Sequence, residues 1–169
     1  RARDLYSVLN GIDPEAWDPS KDAFIPAHYS SDDPSGKASC KNELMNSLFG
    51  HVHAESKRAP LIGMVGRLST QKGLNLVIQS VGDLVSSGVT LAVLGKGEDM
   101  YHKTLLKMAR KYKGTVSVTI GFKEARAHQI YAGSDFFLMP SRYEPCGLGQ
   151  LIAMRYGCVP IARKTGGLS

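Results

Sequence analysis

From Leu61 onward the chain alternates short apolar runs with amphipathic stretches, and few folds accommodate that alternation. The runs are Leu61-Ile62-Gly63-Met64-Val65, Thr90-Leu91-Ala92-Val93-Leu94, Val116-Ser117-Val118-Thr119-Ile120, Asp135-Phe136-Phe137-Leu138-Met139 and Cys158-Val159-Pro160-Ile161-Ala162. Each is long enough for a buried strand and too short for a helix. The intervening stretches predict helices near Leu74 to Ser86, Asp99 to Tyr112, Ala125 to Ala132 and Gly149 to Tyr156. In the first of them Leu74, Val77, Ile78, Val81 and Val85 recur at three- and four-residue steps, so one face is apolar. Strand and helix taking turns implies parallel strands joined by right-handed crossovers, with helices on both faces. The expected class is therefore α/β, a Rossmann-like doubly wound parallel sheet. Ligands bind such sheets beyond the carboxyl ends of the strands, which directs attention to the loops after Val65, Leu94, Ile120, Met139 and Ala162.

The first sixty residues read differently. Asp13-Pro14, Asp18-Pro19, Ile25-Pro26 and Asp33-Pro34 break any regular element until a predicted helix from Lys37 to Phe49. We expect residues 1–60 to form an ordered arm with a leading helix, packed down by Trp17, the sole tryptophan, and residues 61–169 to form the Rossmann-like domain. The absence of a starting Met and the final Gly166-Gly167-Leu168-Ser169 turn suggest a chain cut at both ends, so that targeting is unreadable.

A length of 169 residues suits one domain, and no apolar stretch approaches the roughly 20 residues of a membrane-spanning helix. The charge of +6 is spread along the chain without a basic run or interleaved aromatics. That argues against nucleic acid and suits a small anionic substrate. Cys40, Cys146 and Cys158 form no CxxC pair and are odd in number, as expected of reduced thiols rather than a disulfide framework. His51 and His53 lack the further ligands a metal needs, and His102 and His128 have no partner in view. Gly95-Lys96-Gly97 lacks the third glycine of a dinucleotide fingerprint.

Three strand-end loops carry chemistry. Gly66-Arg67-Leu68-Ser69-Thr70-Gln71-Lys72-Gly73 places two cations five residues apart; they either clamp a diphosphate, Arg67 bidentate and Lys72 as a point charge, or are merely solvated. In Pro140-Ser141-Arg142-Tyr143-Glu144-Pro145-Cys146-Gly147-Leu148-Gly149 the amides of Gly147, Leu148 and Gly149 would face an anion at the helix start. Glu144 there either bonds sugar hydroxyls, balances developing positive charge, or caps the helix. Cys146 has no histidine near it in sequence and is not read as a nucleophile. Lys164-Thr165-Gly166-Gly167 offers a second glycine turn whose amides could approach phosphate or sugar.

Taken in order, Asn10-Gly11-Ile12-Asp13 with Trp17-Asp18-Pro19, Gly66-Arg67-Leu68 with Gln71-Lys72-Gly73, Ser141-Arg142-Tyr143-Glu144-Pro145-Cys146-Gly147-Leu148 and Thr165-Gly166-Gly167-Leu168 closely resemble the glycogen and starch synthases. The resemblance runs through nearly the whole chain. It implies one half of a GT-B fold, the nucleotide-sugar half, with the amino-terminal acceptor domain of the same protein absent. The implied reaction is retaining transfer of glucose from ADP-glucose to the non-reducing end of an α-1,4-glucan, without metal or other cofactor. By the same resemblance Arg67, Lys72 and Glu144 are catalytic: the cations hold the departing diphosphate and Glu144 contacts the glucose. Backbone around Cys146 and Gly147 meets sugar hydroxyls, Leu148 and Gly149 meet phosphate, and Thr165, Gly166 and Gly167 complete the pocket. Phe122 stands where the family stacks a tyrosine on adenine, and Asn10 lines the acceptor side of the cleft. Ile152 occupies the position where the broader sucrose-synthase-like group carries a second glutamate, which points to the synthase branch. The arm Ile25-Pro26-Ala27-His28-Tyr29-Ser30 resembles bacterial members, implying a bacterial cytoplasm with a plastid as the other setting. The alternatives are a UDP-sugar glycosyltransferase or glucan phosphorylase of the same architecture, and a non-catalytic nucleotide- or glucan-binding module.

Overall fold

A computed structural model describes residues 6, 8, 10–50 and 58–168; His51 and His53 lie outside the described residues. The elements in order are α1 (Ser35–Phe49), β1 (Leu61–Val65), α2 (Leu74–Ser86), β2 (Thr90–Gly95), α3 (Asp99–Lys111), β3 (Val116–Ile120), α4 (Glu124–Gly133), β4 (Phe136–Met139), α5 (Gly149–Arg155) and β5 (Val159–Ala162). All strands pair in parallel in the order β3-β2-β1-β4-β5. The chain winds outward from β1 to β3, then crosses back to place β4 on the other side of β1. That reversal is the topological switch point of a doubly wound sheet.

Period-two alternation along the strands divides the core between two faces. Ile62, Met64, Leu91 and Val93 point to one face and pack with Leu74, Val77 and Val81 of α2 and with Tyr101 and Leu105 of α3. Leu61, Ala92 and Leu94 point to the other, against Leu44 and Met45 of α1 and Ile130 of α4. On β4, Phe137 and Met139 join a third cluster with Ile152, Ala153 and Tyr156 at α5 and with Ile25 and Tyr29 of the arm. Burying apolar area on both faces is what makes these strands read as continuous hydrophobic runs.

The arm is irregular from residue 10 to residue 34, as its prolines dictate, yet it is anchored by buried polar contacts. Trp17 stacks on His128 with ring centroids 4.0 Å apart and planes 11° from parallel. Asp22 Oδ2 lies 2.8 Å from His128 Nδ1 and accepts from the Tyr156 hydroxyl at 2.5 Å. His128, which has no visible partner in sequence, is thus a buried residue with an acid from the arm against its ring. The Tyr29 hydroxyl donates to the Tyr156 carbonyl at 3.0 Å, and Lys37 Nζ donates to the carbonyls of Ala132, Ser134 and Tyr156 at 2.9–3.1 Å. Burial holds the Lys37 ammonium below its ordinary range and pushes the Tyr29 and Tyr156 phenols up.

Asp22 is therefore the acceptor on which the arm depends. Asp22→Ala removes the buried acceptor at 2.5–2.8 Å from the Tyr156 hydroxyl and His128 Nδ1 and leaves those two groups only their longer 3.4 Å approach to each other. We expect a loss of about 3 kcal/mol, read as an earlier urea midpoint in Trp17 fluorescence; an unchanged midpoint contradicts this account of the arm.

Candidate functional site

The site begins where β1 and β4 part. β1 is registered with β2 along its whole length, ending at Val65↔Leu94, but with β4 only at Ile62↔Phe136 and Gly63↔Phe137. Beyond Gly63 the two strands separate and their following loops flank a crevice, as expected at a switch point. The loops then meet again. The Arg142 amide donates to the Gln71 carbonyl at 2.8 Å, Gln71 Nε2 donates to the Tyr143 carbonyl at 3.4 Å, and Lys72 Nζ pairs with Glu144 Oε2. Ser141 Oγ donates to the same Glu144 oxygen at 3.1 Å. Glu144 is only 7% exposed, so its charge is stabilised by these donors rather than by bulk water.

Two glycines make this approach feasible. Gly73 has φ 72°, the left-handed region, and a Cβ there would stand 2.1 Å from the Pro140 carbonyl oxygen. Gly166 has φ 52°, and its Cβ would stand 2.3 Å from the Glu144 carbonyl oxygen. The turn after β5 is thereby pressed onto the backbone of Glu144, and Gly167 N–H donates to that carbonyl at 2.8 Å. The Gly167 amide is thus engaged by the Glu144 carbonyl of the protein itself. Thr165 Oγ1 donates to the Arg142 carbonyl at 3.3 Å, joining the same knot.

Residues predicted to bind ligand fall into two neighbouring groups. Lys72, Glu144, Cys146, Gly147, Leu148, Gly149, Thr165, Gly166 and Gly167 lie in the loops that meet beyond β1, β4 and β5, and the Cys146 thiol contacts the Asn10 carbonyl at 3.9 Å, bringing the arm to the edge of that group. The amides of Gly147, Leu148 and Gly149 donate to no acceptor among the described residues. Gln150, which the sequence reading passed over, ties this loop down by donating from Nε2 to the Cys146 and Gly147 carbonyls at 3.2 and 2.7 Å. The second group, Arg67 and Phe122, lines a hollow of about 360 Å³ with Gly66, Lys96 and Lys123. Arg67 makes no hydrogen bond or ion pair among the described residues, and the Phe122 ring is 93% exposed. An unburied aromatic face beside three cations is suited to a heteroaromatic ring carrying phosphate.

The two cations of the first loop thus differ. Lys72 is neutralised within the protein by Glu144, whereas Arg67 stands open. A larger hollow of about 580 Å³ lies far around the molecule, where Pro19, Tyr29 and Ser31 of the arm face Met154 and Arg155. Its cations are already engaged, Arg155 by Asp18 at 3.0 Å and Lys37 by its three carbonyls, whereas the strand-end hollow keeps the unpaired Arg67.

Fold and site together define a Rossmann-like domain of the GT-B glycosyltransferase architecture. The chain belongs to the glycosyl transferases group 1 family, whose model matches residues 50–169. It is 51% identical over all of its length to a glycogen synthase of Geotalea daltonii and 46% identical over 99% of its length to one of Anaeromyxobacter sp.. It spans 34% and 35% of those two proteins, about a third. The catalytic domain of starch synthase IV from Arabidopsis thaliana, bound to ADP and acarbose, superposes with a TM-score of 0.91 at 37% identity, over 99% of this chain and 34% of that one. The Anabaena protein HepE in complex with UDP and glucose shares the fold at 21% identity, with a TM-score of 0.69 over 99% of this chain and 40% of its own.

The closeness of the loops makes a paired test available. Gly88 has nearly the same backbone, φ 78°, but open space where a Cβ would go. Gly88→Ala should cost about 1–2 kcal/mol, the ordinary penalty of a left-handed alanine, while Gly73→Ala costs clearly more because Pro140 must move. Equal losses in denaturant unfolding would show that the two loops are not held in contact.

Proposed function

We propose that this chain supplies the donor side of a glycogen or starch synthase type glycosyltransferase that uses ADP-glucose. The observation that carries the reading is the Lys72–Glu144 couple set at the switch point, with the unpaired Arg67 beside it and an exposed Phe122 across the hollow. Similarity to the bacterial glycogen synthases and to a starch synthase bound to ADP supports the substrate class. In this reading adenine stacks on Phe122, Arg67 and Lys72 hold the diphosphate with the amides of Leu148 and Gly149, and Glu144 meets glucose hydroxyls.

The chemistry follows from where charge develops. The bond from the glucose anomeric carbon to the diphosphate oxygen breaks, and its electron pair leaves with the phosphate. The acceptor 4-hydroxyl oxygen forms the new bond on the same face, and its proton passes to the departing phosphate oxygen. Negative charge thus accumulates at the phosphate, where fixed cations stabilise the transition state more than the ground state. Glu144, with its negative charge at the sugar, offsets positive charge on the ring. The glucan acceptor would be held opposite, by protein beyond residues 1–169, so we expect these residues alone to bind ADP at most weakly and to transfer no glucose. The higher identity to bacterial relatives supports a bacterial cytoplasmic setting.

In the full-length protein containing this chain, Lys72→Ala should lower glucose transfer from ADP-glucose by about 10²–10³-fold, the scale of losing one preorganised charge donor. Turnover measured with ADP-glucose and UDP-glucose in parallel should favour ADP-glucose. A near-normal Lys72→Ala rate removes Lys72 from the mechanism, and preference for UDP-glucose shifts the chain to the UDP-sugar branch.

A further inference from the structure

The two oxygens of Glu144 stand in unequal surroundings. Oε2 accepts from both Lys72 Nζ and Ser141 Oγ. Oε1 has no partner among the described residues and is not among the buried polar atoms lacking one. It is therefore the oxygen that water or a ligand can reach. Ser141 is 1% exposed and its hydroxyl, which has one proton to give, gives it to Glu144.

The two donors on Oε2 differ in kind. A lysine ammonium on a four-carbon stem is a compact charge that tolerates many orientations. The last torsion of a glutamate is broad, so an ion pair alone leaves the carboxylate free to rotate. A serine hydroxyl rooted one carbon from a buried backbone has little freedom. It fixes the plane of the group it bonds. Pro140 immediately before Ser141, and the Arg142 amide bonded to Gln71 immediately after, hold that backbone at the end of β4.

We propose that Ser141 is a positioning residue: with Lys72 it locks the Glu144 carboxylate so that Oε1 presents its lone pairs to the hydroxyls of the transferred sugar. Lys72 supplies charge and Ser141 supplies orientation. The proposal rests on the reading of Glu144 as the sugar-facing group of a glucosyl donor site. A serine that merely fills space would affect stability without regard to substrate, whereas a positioning serine acts only where sugar is in play, and only through Glu144.

The test uses the full-length protein, ADP-glucose as donor and a maltooligosaccharide as acceptor. Ser141→Ala should lower kcat about tenfold with KM for ADP-glucose and inhibition by ADP within about twofold of wild type, since ADP carries no glucose. Ser141→Thr, which keeps the hydroxyl, should restore most of the rate, and Ser141→Cys, similar in size but a weak donor, should not. In a Glu144→Ala background, which removes the acceptor, Ser141→Ala should cause no further loss, because the effect passes through that carboxylate. Wild-type kcat in Ser141→Ala, an undiminished loss in the Glu144→Ala background, or a parallel loss of ADP binding overturns the positioning role. Failure of the underlying reading is separate: the wild-type protein would then transfer glucose from neither ADP-glucose nor UDP-glucose, and the proposal falls with it.

Discussion

The strand-end architecture depends on one contact between sequence-distant loops, the pairing of Lys72 after β1 with Glu144 after β4. Parallel strands leave a switch point open by topology, and only side chains and turns can decide what shape that opening takes. Here a buried carboxylate draws the two loops together, and the left-handed Gly73 and Gly166 let backbone come close enough for it to do so. A carboxylate so little exposed is unfavourable without its partners, so the couple also sets a condition on the site: a ligand that engages Lys72 must leave Glu144 adequately bonded. Sugar hydroxyls at the open Oε1 would meet that condition.

The arm belongs to the same system through packing. Its residues Trp17, Asp22 and Tyr29 close over α4 and the carboxyl end of α5, while Asn10 reaches the Cys146 loop at the other end of that helix. α5 is only seven residues long and is held at both ends, by the Gln150 side chain reaching back from its first turn to the Cys146 and Gly147 carbonyls and by Tyr156 in the arm cluster. The amides of Gly147, Leu148 and Gly149, which have no acceptor among the described residues, therefore sit at the start of an element braced by the arm, which connects a stretch without regular structure to the geometry of the site.

Much of the fold was legible because it is local. The spacing of Leu74, Val77 and Val81 marks an apolar helix face, and α2 occupies Leu74–Ser86 as that spacing predicts. Five apolar runs became five strands, β1 and β3 with the predicted bounds and the others within a residue. The loops bearing Arg67, Lys72, Glu144 and Gly166 were legible as strand-end loops because the apolar runs before them fix where the strands stop. What sequence did not disclose was pairing. Asp22 and His128 are 106 residues apart, and nothing near either residue marks the other. The same holds for Lys72 and Glu144, both singled out for a ligand but not for one another. The use of the Gly167 amide, the brace from Gln150 and the bond from Ser141 likewise exist only once the loops have met.

The central claim is that the strand-end crevice, and not the hollow beside the arm, receives a nucleoside diphosphate. Amide chemical-shift mapping of the 169-residue chain titrated with ADP tests it directly. The account predicts that shifts concentrate at Gly66 to Gly73, Gly121 to Lys123 and Gly147 to Gly149. Shifts confined to Ser20, Ser30, Ser31 and Arg155 would contradict it.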